Sequence, residues 1–283
     1  MKYKKTKPKS IYFYIGMLLM GIVLFALNKI EDNKNQQSID AISLESTKDA
    51  KEIAFSNELE HYFYPTSTTG VVIDHENYTL SYSEAHEQAE WVAYRLLPEH
   101  LTDDKRKRPS FKQDPYITTE SAKLSNYKNS GYSRGHLVPA GDRVFSKQAY
   151  DETFYTSNVS PQIFEFNAGV WNSLEVRVRN FVKANGGVFV VTGAVLSDGL
   201  KTIGDEKVSV PDYFYKIIFY ENKGDYKMAA YLIPHNKIKK RNYKDFRTTT
   251  DSIEKLTGID FFPTLDKNIQ ENLESKIDAN WFE

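Results

Sequence analysis

The chain has 283 residues, 14% aromatic and 27% charged, with 19 tyrosines and 17 phenylalanines, enough apolar material for one large mixed core. It has no cysteine, which excludes disulfides, thiolate metal sites and a cysteine nucleophile and leaves any metal to oxygen or imidazole donors. The formal net charge of −1 hides an asymmetry: six lysines and no acid fall in the first 30 positions, leaving 31 basic against 38 acidic residues, a net of −7. A globally basic surface is thereby excluded, so a polyanion would need a local basic groove and bound cations.

Residues 1–10 carry five lysines and precede an uncharged apolar stretch, residues 11–27. A basic flank followed by about 17 apolar residues predicts a single transmembrane anchor or a signal sequence. Its apolar run is longer than a usual signal core, and no clear small-x-small cleavage site follows, which favours retention as an anchor. On either reading the remainder is exported, placing the domain at the cell envelope, or secreting it if the segment is cleaved. Residues 28–51 are rich in Asn, Gln, Ser and Asp and read as a polar linker to a folded domain over residues 52–283.

Within that domain, His86–Leu97 reads as a strand ending before Pro98. Basic runs at Lys105-Arg106-Lys107-Arg108 and at Lys237, Lys239, Lys240 and Arg241 are candidates for a local groove, or are solvated loops. Gly186-Gly187 predicts a turn into a buried strand over residues 188–193. Residues 213–220 and 227–233 read as further strands around a turn at Glu221-Asn222-Lys223-Gly224-Asp225. A helical pattern over residues 245–256 stops at Gly258. No regular crossover helices separate the strands, so the expected class is α+β, with a mainly antiparallel central sheet flanked by helices.

Two runs carry chemistry. The first is Tyr132-Ser133-Arg134-Gly135-His136-Leu137-Val138-Pro139-Ala140-Gly141-Asp142. The second begins with Ser157-Asn158-Val159-Ser160-Pro161-Gln162 and continues into Asn167, Trp171, Glu175 and Arg179 at a spacing of four. A lone histidine is more often a packed or surface residue, and His61, His75, His86, His100 and His235 keep that reading.

On a strand, Arg134 and His136 share one face, while Gly135 between them permits close approach of a substrate backbone. On a helix, Asn167, Trp171, Glu175 and Arg179 form one row beside an apolar stripe of Val170, Leu174, Val178 and Phe181. That row is either a solvated face with a Glu175–Arg179 pair or a site. Phosphodiester hydrolysis needs a base, positive charge on the phosphate and a stabilised leaving oxygen. His136 suits the base, because a neutral imidazole accepts a proton near physiological pH. Asn167 suits direct ligation of Mg2+ through its amide oxygen, with Mn2+ as the alternative ion. Glu175 would then accept from a metal-bound water, and Arg179 would reach a phosphate oxygen.

These runs resemble the active-site signature of the DNA/RNA non-specific endonucleases, the ββα-metal family that includes endonuclease G. The family pattern joins Asp-Arg-Gly-His, Ser-Asn-x-x-Pro-Gln and Asn-x-x-x-Trp-x-x-x-Glu-x-x-x-Arg. The resemblance extends through Trp91-Val92-Ala93-Tyr94, Phe111-Lys112-Gln113-Asp114-Pro115, Val191-Thr192-Gly193 and Ser252–Gly258, over roughly residues 55–265.

It implies a ββα-metal fold and metal-dependent cleavage of DNA and RNA to 5′-phosphate and 3′-hydroxyl ends. By the same resemblance His136 is the base, Asn167 the Mg2+ ligand, Arg134, Glu175 and Arg179 supporting residues, and Asn158 a residue that orients the site. An upstream arginine often assists in this family, and Arg108 is the nearest candidate. Ser133 departs from the family's aspartate and, with the acidic domain, leaves as an alternative a weakly active or inactive polyanion-binding envelope protein; a third reading is a phosphodiesterase for small nucleotides.

Overall fold

The computed structural model describes residues 63–237 and 242–283, together with Lys29. The basic flank, the apolar stretch, the polar linker, His61, and Lys239, Lys240 and Arg241 lie outside the described residues. Among the described residues no helix is long and apolar enough to cross a membrane.

In chain order the strands are β1 (Val72–Asp74), β2 (Thr79–Ser83), β3 (Gln88–Leu96), β4 (Ser133–His136), β5 (Val159–Gln162), β6 (Val188–Ala194), β7 (Thr202–Ile203), β8 (Val208–Ser209), β9 (Tyr213–Asn222), β10 (Asp225–Pro234) and β11 (Arg247–Thr248). The helices are α1 (Lys147–Glu152), α2 (Asn172–Asn185), α3 (Thr250–Thr257) and α4 (Lys267–Glu274). Seven strands form an antiparallel sheet in the order β1-β2-β3-β6-β9-β10-β11, as the α+β reading expects. The separate hairpin β4-β5 leads through a helical segment, residues 164–171, into α2.

Both faces of the sheet are covered, which is why residues 91–94 of β3 and 217–220 of β9 are apolar on both sides. Alternation sorts their side chains: Val92, Tyr94 and Leu96 enter the core beneath α2, whereas Trp91 and Ala93 enter the core beneath α3. The predicted helical stripe is buried as a unit, with Val170, Leu174, Val178 and Phe181 all at most 3% exposed. Burial of each such side chain stabilises the fold by about 1.5–3 kcal/mol. Leu137 and Val138, directly after His136, lie in the same core as Trp171 and Leu174. Shared burial therefore brings the two sequence runs together.

Two predicted helices are revised. The helix expected over residues 245–256 begins only at Thr250, because Arg247 and Thr248 pair with Tyr231 and Ala230 of β10 and extend the sheet. Thr249 Oγ1 caps the helix by accepting from Ser252 N at 3.2 Å, and Gly258 ends it at φ 72°. The continuous helix through Asn167 and Arg179 is broken at Gly169 (φ −103°, ψ −113°), within a π-turn over Asn167–Trp171. Asn167 therefore stands ahead of the regular helix that carries Glu175 and Arg179. Trp171 leaves the polar row altogether and is fully buried.

Candidate active site

The β4-β5 hairpin presents the first run. Its register pairs Ser133 with Gln162, Arg134 with Pro161, Gly135 with Ser160 and His136 with Val159. The glycine is required by close approach, because a Cβ at Gly135 would lie 2.1 Å from Gln162 Oε1. Gln162 is wholly buried, and neither its amide oxygen nor its amide nitrogen has a partner.

Arg134 and His136 do share a face: the Arg134 guanidinium carbon is 5.0 Å from the Phe111 ring centroid, and the His136 ring is 5.3 Å from the same ring. The Ser133 hydroxyl takes no partner among the described residues, and the Arg134 guanidinium packs on the Phe111 ring.

His136 is half-buried, with its ring 5.0 Å from Phe154, and its Nε2 is buried without a hydrogen-bond partner. Burial, reinforced by the Arg108 guanidinium, pushes its pKa down to about 3. The imidazole is therefore neutral at physiological pH, with a ring nitrogen free to accept a proton. Arg108 packs 5.3 Å from Phe154 and 5.5 Å from Phe111, on the rings that flank His136. The upstream arginine inferred from sequence thus reaches the site.

Asn158 is fully buried and spends its side chain on the backbone. Its Oδ1 accepts from Val138 N at 2.8 Å, and its Nδ2 donates to Val138 O at 3.1 Å and Thr153 O at 2.9 Å. These bonds hold the backbone of the segment that follows His136 and leave Asn158 no free group.

The Glu175–Arg179 pair considered from the spacing does not form. Arg179 Nη1 instead donates to Asp142 Oδ1 at 2.8 Å, and Asp142 Oδ2 accepts from the Tyr94 hydroxyl at 2.9 Å. Asp142 belongs to the first run, so this ion pair ties the turn after His136 to α2. Glu175 is left with no ion pair among the described residues. Burial and Asp142 push its carboxyl up to about 7, against the opposing charges of Lys216 and Arg179.

Lys216 is 1% exposed, on the β9 face it shares with Phe214 and Ile218. Its ammonium donates to Thr192 Oγ1 and lies 5.0 Å from the Trp171 ring centroid. Burial pulls it down to about 8.

Asn167 is half-exposed, and its side-chain amide has no partner among the described residues. His235 steadies the backbone before it: Nε2 accepts from Ile163 N at 2.8 Å, and Nδ1 donates to Pro211 O at 2.8 Å. An unengaged amide oxygen at Asn167 and an unpaired carboxylate at Glu175 fit a hard, well-hydrated cation. Asp251, Glu254 and Glu274 also gather on α3 and α4, remote in sequence from these runs.

Sequence reasoning assigned no role to Asp142, Lys216, Gln162 or His235. Lys216 had a visible signal, being a lone charge within an apolar strand, and Asp142 closes the first run. Gln162 and His235 acquire their contacts only through tertiary pairing.

The sequence pattern of DNA/RNA non-specific endonucleases matches residues 55–268. The chain belongs to the DNA/RNA non-specific endonuclease family. Mouse mitochondrial nuclease EXOG is 33% identical over 81% of this chain and 67% of its own length. Endonuclease G of Caenorhabditis elegans is 34% identical, covering 80% of this chain and 79% of its own. Nuclease C1 of Cunninghamella echinulata var. echinulata is 35% identical over 69% of this chain and 83% of its own.

Against the frog, zebrafish and human EXOG proteins, the match spans 60–63% of the relative's length. The crystal structure of an EndoG/EndoGI complex contains a chain that superposes with a TM-score of 0.68 at 31% identity, over 74% of this chain and 92% of that one. The mixed α/β fold with its antiparallel sheet is thus similar to that of a solved EndoG chain.

Proposed function

We propose that the protein is a metal-dependent, sequence-non-specific endonuclease that hydrolyses DNA and RNA. The observation that carries this reading is the buried, unpartnered Nε2 of His136, kept neutral between Phe111 and Phe154. Such a nitrogen takes the proton from an attacking water. Arg134, which is exposed, and Arg108 supply charge to the phosphate from the Phe111 side, and Arg179 does so from α2.

Asn167 would hold Mg2+ by its amide oxygen, with Glu175 accepting from a water in the ion's hydration shell. The ion's contribution is neutralisation of charge on the phosphate and leaving oxygen. The test is cleavage of supercoiled plasmid and structured RNA by the full-length protein, with Mg2+ and with chelator. Wild type should cut only with metal, whereas His136→Ala and Asn167→Ala should remain folded and lose at least about 100-fold in rate. Cleavage by His136→Ala at the wild-type rate would sink the assignment.

The lysine-rich flank and the apolar stretch at residues 11–27 support an exported domain at the cell envelope, held to the membrane by that segment. An exported nuclease acts on incoming or environmental nucleic acid and is kept from its own genome. Cell fractionation with protease protection tests this, and a catalytic domain recovered in the cytoplasm would overturn it.

A further inference from the structure

The nuclease reading accounts for Arg108 but not for the groove that runs away from it. Arg108, Lys105, Lys107 and Lys147 line a hollow of about 570 Å³. A second hollow of about 440 Å³, lined by Lys112, Tyr116 and Tyr155, meets the first along Lys147 and Asp151. Together they form one path that starts at Arg108, which packs on the rings beside His136.

Apart from Lys147, which pairs with Asp151, and Arg106, which faces Asp104, the cations along this path are free of ion pairs among the described residues. Lys105, Lys107, Arg108 and Lys112 are exposed and make no ion pair among the described residues. Of the nearby acids, Asp151 pairs with Lys147 and Asp104 with Arg106, while Glu152 keeps its charge and accepts hydrogen bonds from Asn77 and Gln148. On a domain of net negative charge, Lys105, Lys107, Arg108 and Lys112 form a local strip of cations without ion-pair partners, interrupted by the Lys147–Asp151 pair.

The far end of the path is aromatic and rigid. Tyr116 is 54% exposed, yet its backbone N donates to Asp114 Oδ1 at 2.9 Å, and its ring stands edge-on to His75 at 5.2 Å. Asp114 is itself buried, held by Ser157 and by His75 Nε2 at 3.0 Å. Burial of this kind fixes the turn while leaving the tyrosine ring in solvent, so little further ordering is needed for a planar ligand to stack. Beside it, Lys112 Nζ lies 5.0 Å from the Tyr155 ring centroid. Cations spaced along a groove that ends in the exposed, pre-set ring of Tyr116, beside the half-buried Tyr155, match the alternation of phosphate and base in an unpaired strand. A duplex keeps its base faces stacked inside and cannot use the rings.

The geometry points to a binding path for a single-stranded flank of the nucleic-acid substrate, running from Arg108 past Lys147 to a base-stacking platform at Tyr116 and Tyr155. This rests on the nuclease reading, and it adds that single-stranded or frayed substrate is held in preference to blunt duplex.

The test uses full-length protein in chelator, so that binding is read without cleavage. Probes are a fluorescein-labelled single strand of about 15 nucleotides, a blunt duplex of equal length, and a single strand carrying 2-aminopurine. Tyr116→Ala should weaken single-strand binding about tenfold and abolish 2-aminopurine quenching, while Tyr116→Phe stays within about twofold of wild type. Duplex binding should change less than about twofold in either variant. Single-strand binding by Tyr116→Ala equal to wild type, or an equal loss on duplex, would overturn the path. Plasmid cleavage in Mg2+ separates the two ideas: absent cleavage with tyrosine-dependent binding leaves the path standing without the nuclease, and normal cleavage with no tyrosine effect removes the path alone.

Discussion

Arg179 on α2 donates to Asp142 Oδ1 at 2.8 Å, joining the turn that follows the histidine to the helix that follows the asparagine. Asp142 is 1% exposed and also accepts from Tyr94, so its charge is balanced inside the protein. Truncating one partner of a buried pair leaves the other charge uncompensated. Asp142→Asn should destabilise the protein by about 2–4 kcal/mol, read as a lower urea midpoint. Residual folded enzyme should also lose rate, because Arg179 is no longer held. An unchanged midpoint would show that the pair is dispensable.

His136 gives a pH prediction. Its imidazole is pushed down to about 3 by burial and then by Arg108, so protonation does not remove the base until well below pH 6.5. The acid limb of kcat/KM assigned to this residue should therefore lie below about pH 5. Removing a neighbouring positive charge makes the imidazolium less unfavourable, so Arg108→Ala should move that limb to higher pH as well as slow the reaction. A limb that stays in place would separate Arg108 from the base.

His235 links the end of β10 to the backbone ahead of Asn167. Its imidazole is held below its ordinary value by burial, against the Pro211 carbonyl and Asp212, which favour protonation. A histidine depressed in the folded state adds stability above its unfolded pKa, near 6.5, and loses it as pH falls through the folded value. Wild type should thus lose thermal stability on acidification in a way that His235→Phe does not. That variant also leaves the Ile163 N–H without its acceptor, at a cost of about 1–3 kcal/mol, and should need more Mg2+ for half-maximal activity. Equal Mg2+ dependence in the two proteins would dissociate His235 from the site.

Glu274 lies among carboxylates on the other face of the sheet, where burial and then Glu254 push it up to about 8. A carboxyl raised in the folded state contributes fully below its unfolded pKa of about 4.5 and becomes a liability as pH rises towards 8. Glu274→Gln, which keeps the hydrogen-bonding shape, should stabilise the protein at pH 8 by on the order of 2 kcal/mol and have little effect at pH 4. A stabilisation that grows on acidification would contradict this.

Much of the fold was legible because local pattern and global burial agree. The strands at residues 88–96, 188–194, 213–222 and 225–234 are rich in β-branched and aromatic residues, and the stripe Val170, Leu174, Val178 and Phe181 has helical period. The helix over residues 245–256 was misjudged at its start because strand pairing of Arg247 and Thr248 with β10 is a long-range event. The unbroken row from Asn167 to Arg179 was misjudged because a π-turn shifts phase without changing residue spacing.

The sequence by itself determined the chemistry-bearing set: a histidine and arginine across a glycine, and an asparagine, a carboxylate and an arginine at spacings of four. Their identities and order suffice to name the family, since motif spacing survives in the primary structure. Only the tertiary structure decided who partners whom. Arg179 turns to Asp142 and leaves Glu175 unpaired, Lys216 is buried against Trp171, and Arg108 reaches His136 through Phe111 and Phe154. Each of those choices depends on which side chains lose water together, and desolvation is set by the packing of segments far apart in the chain.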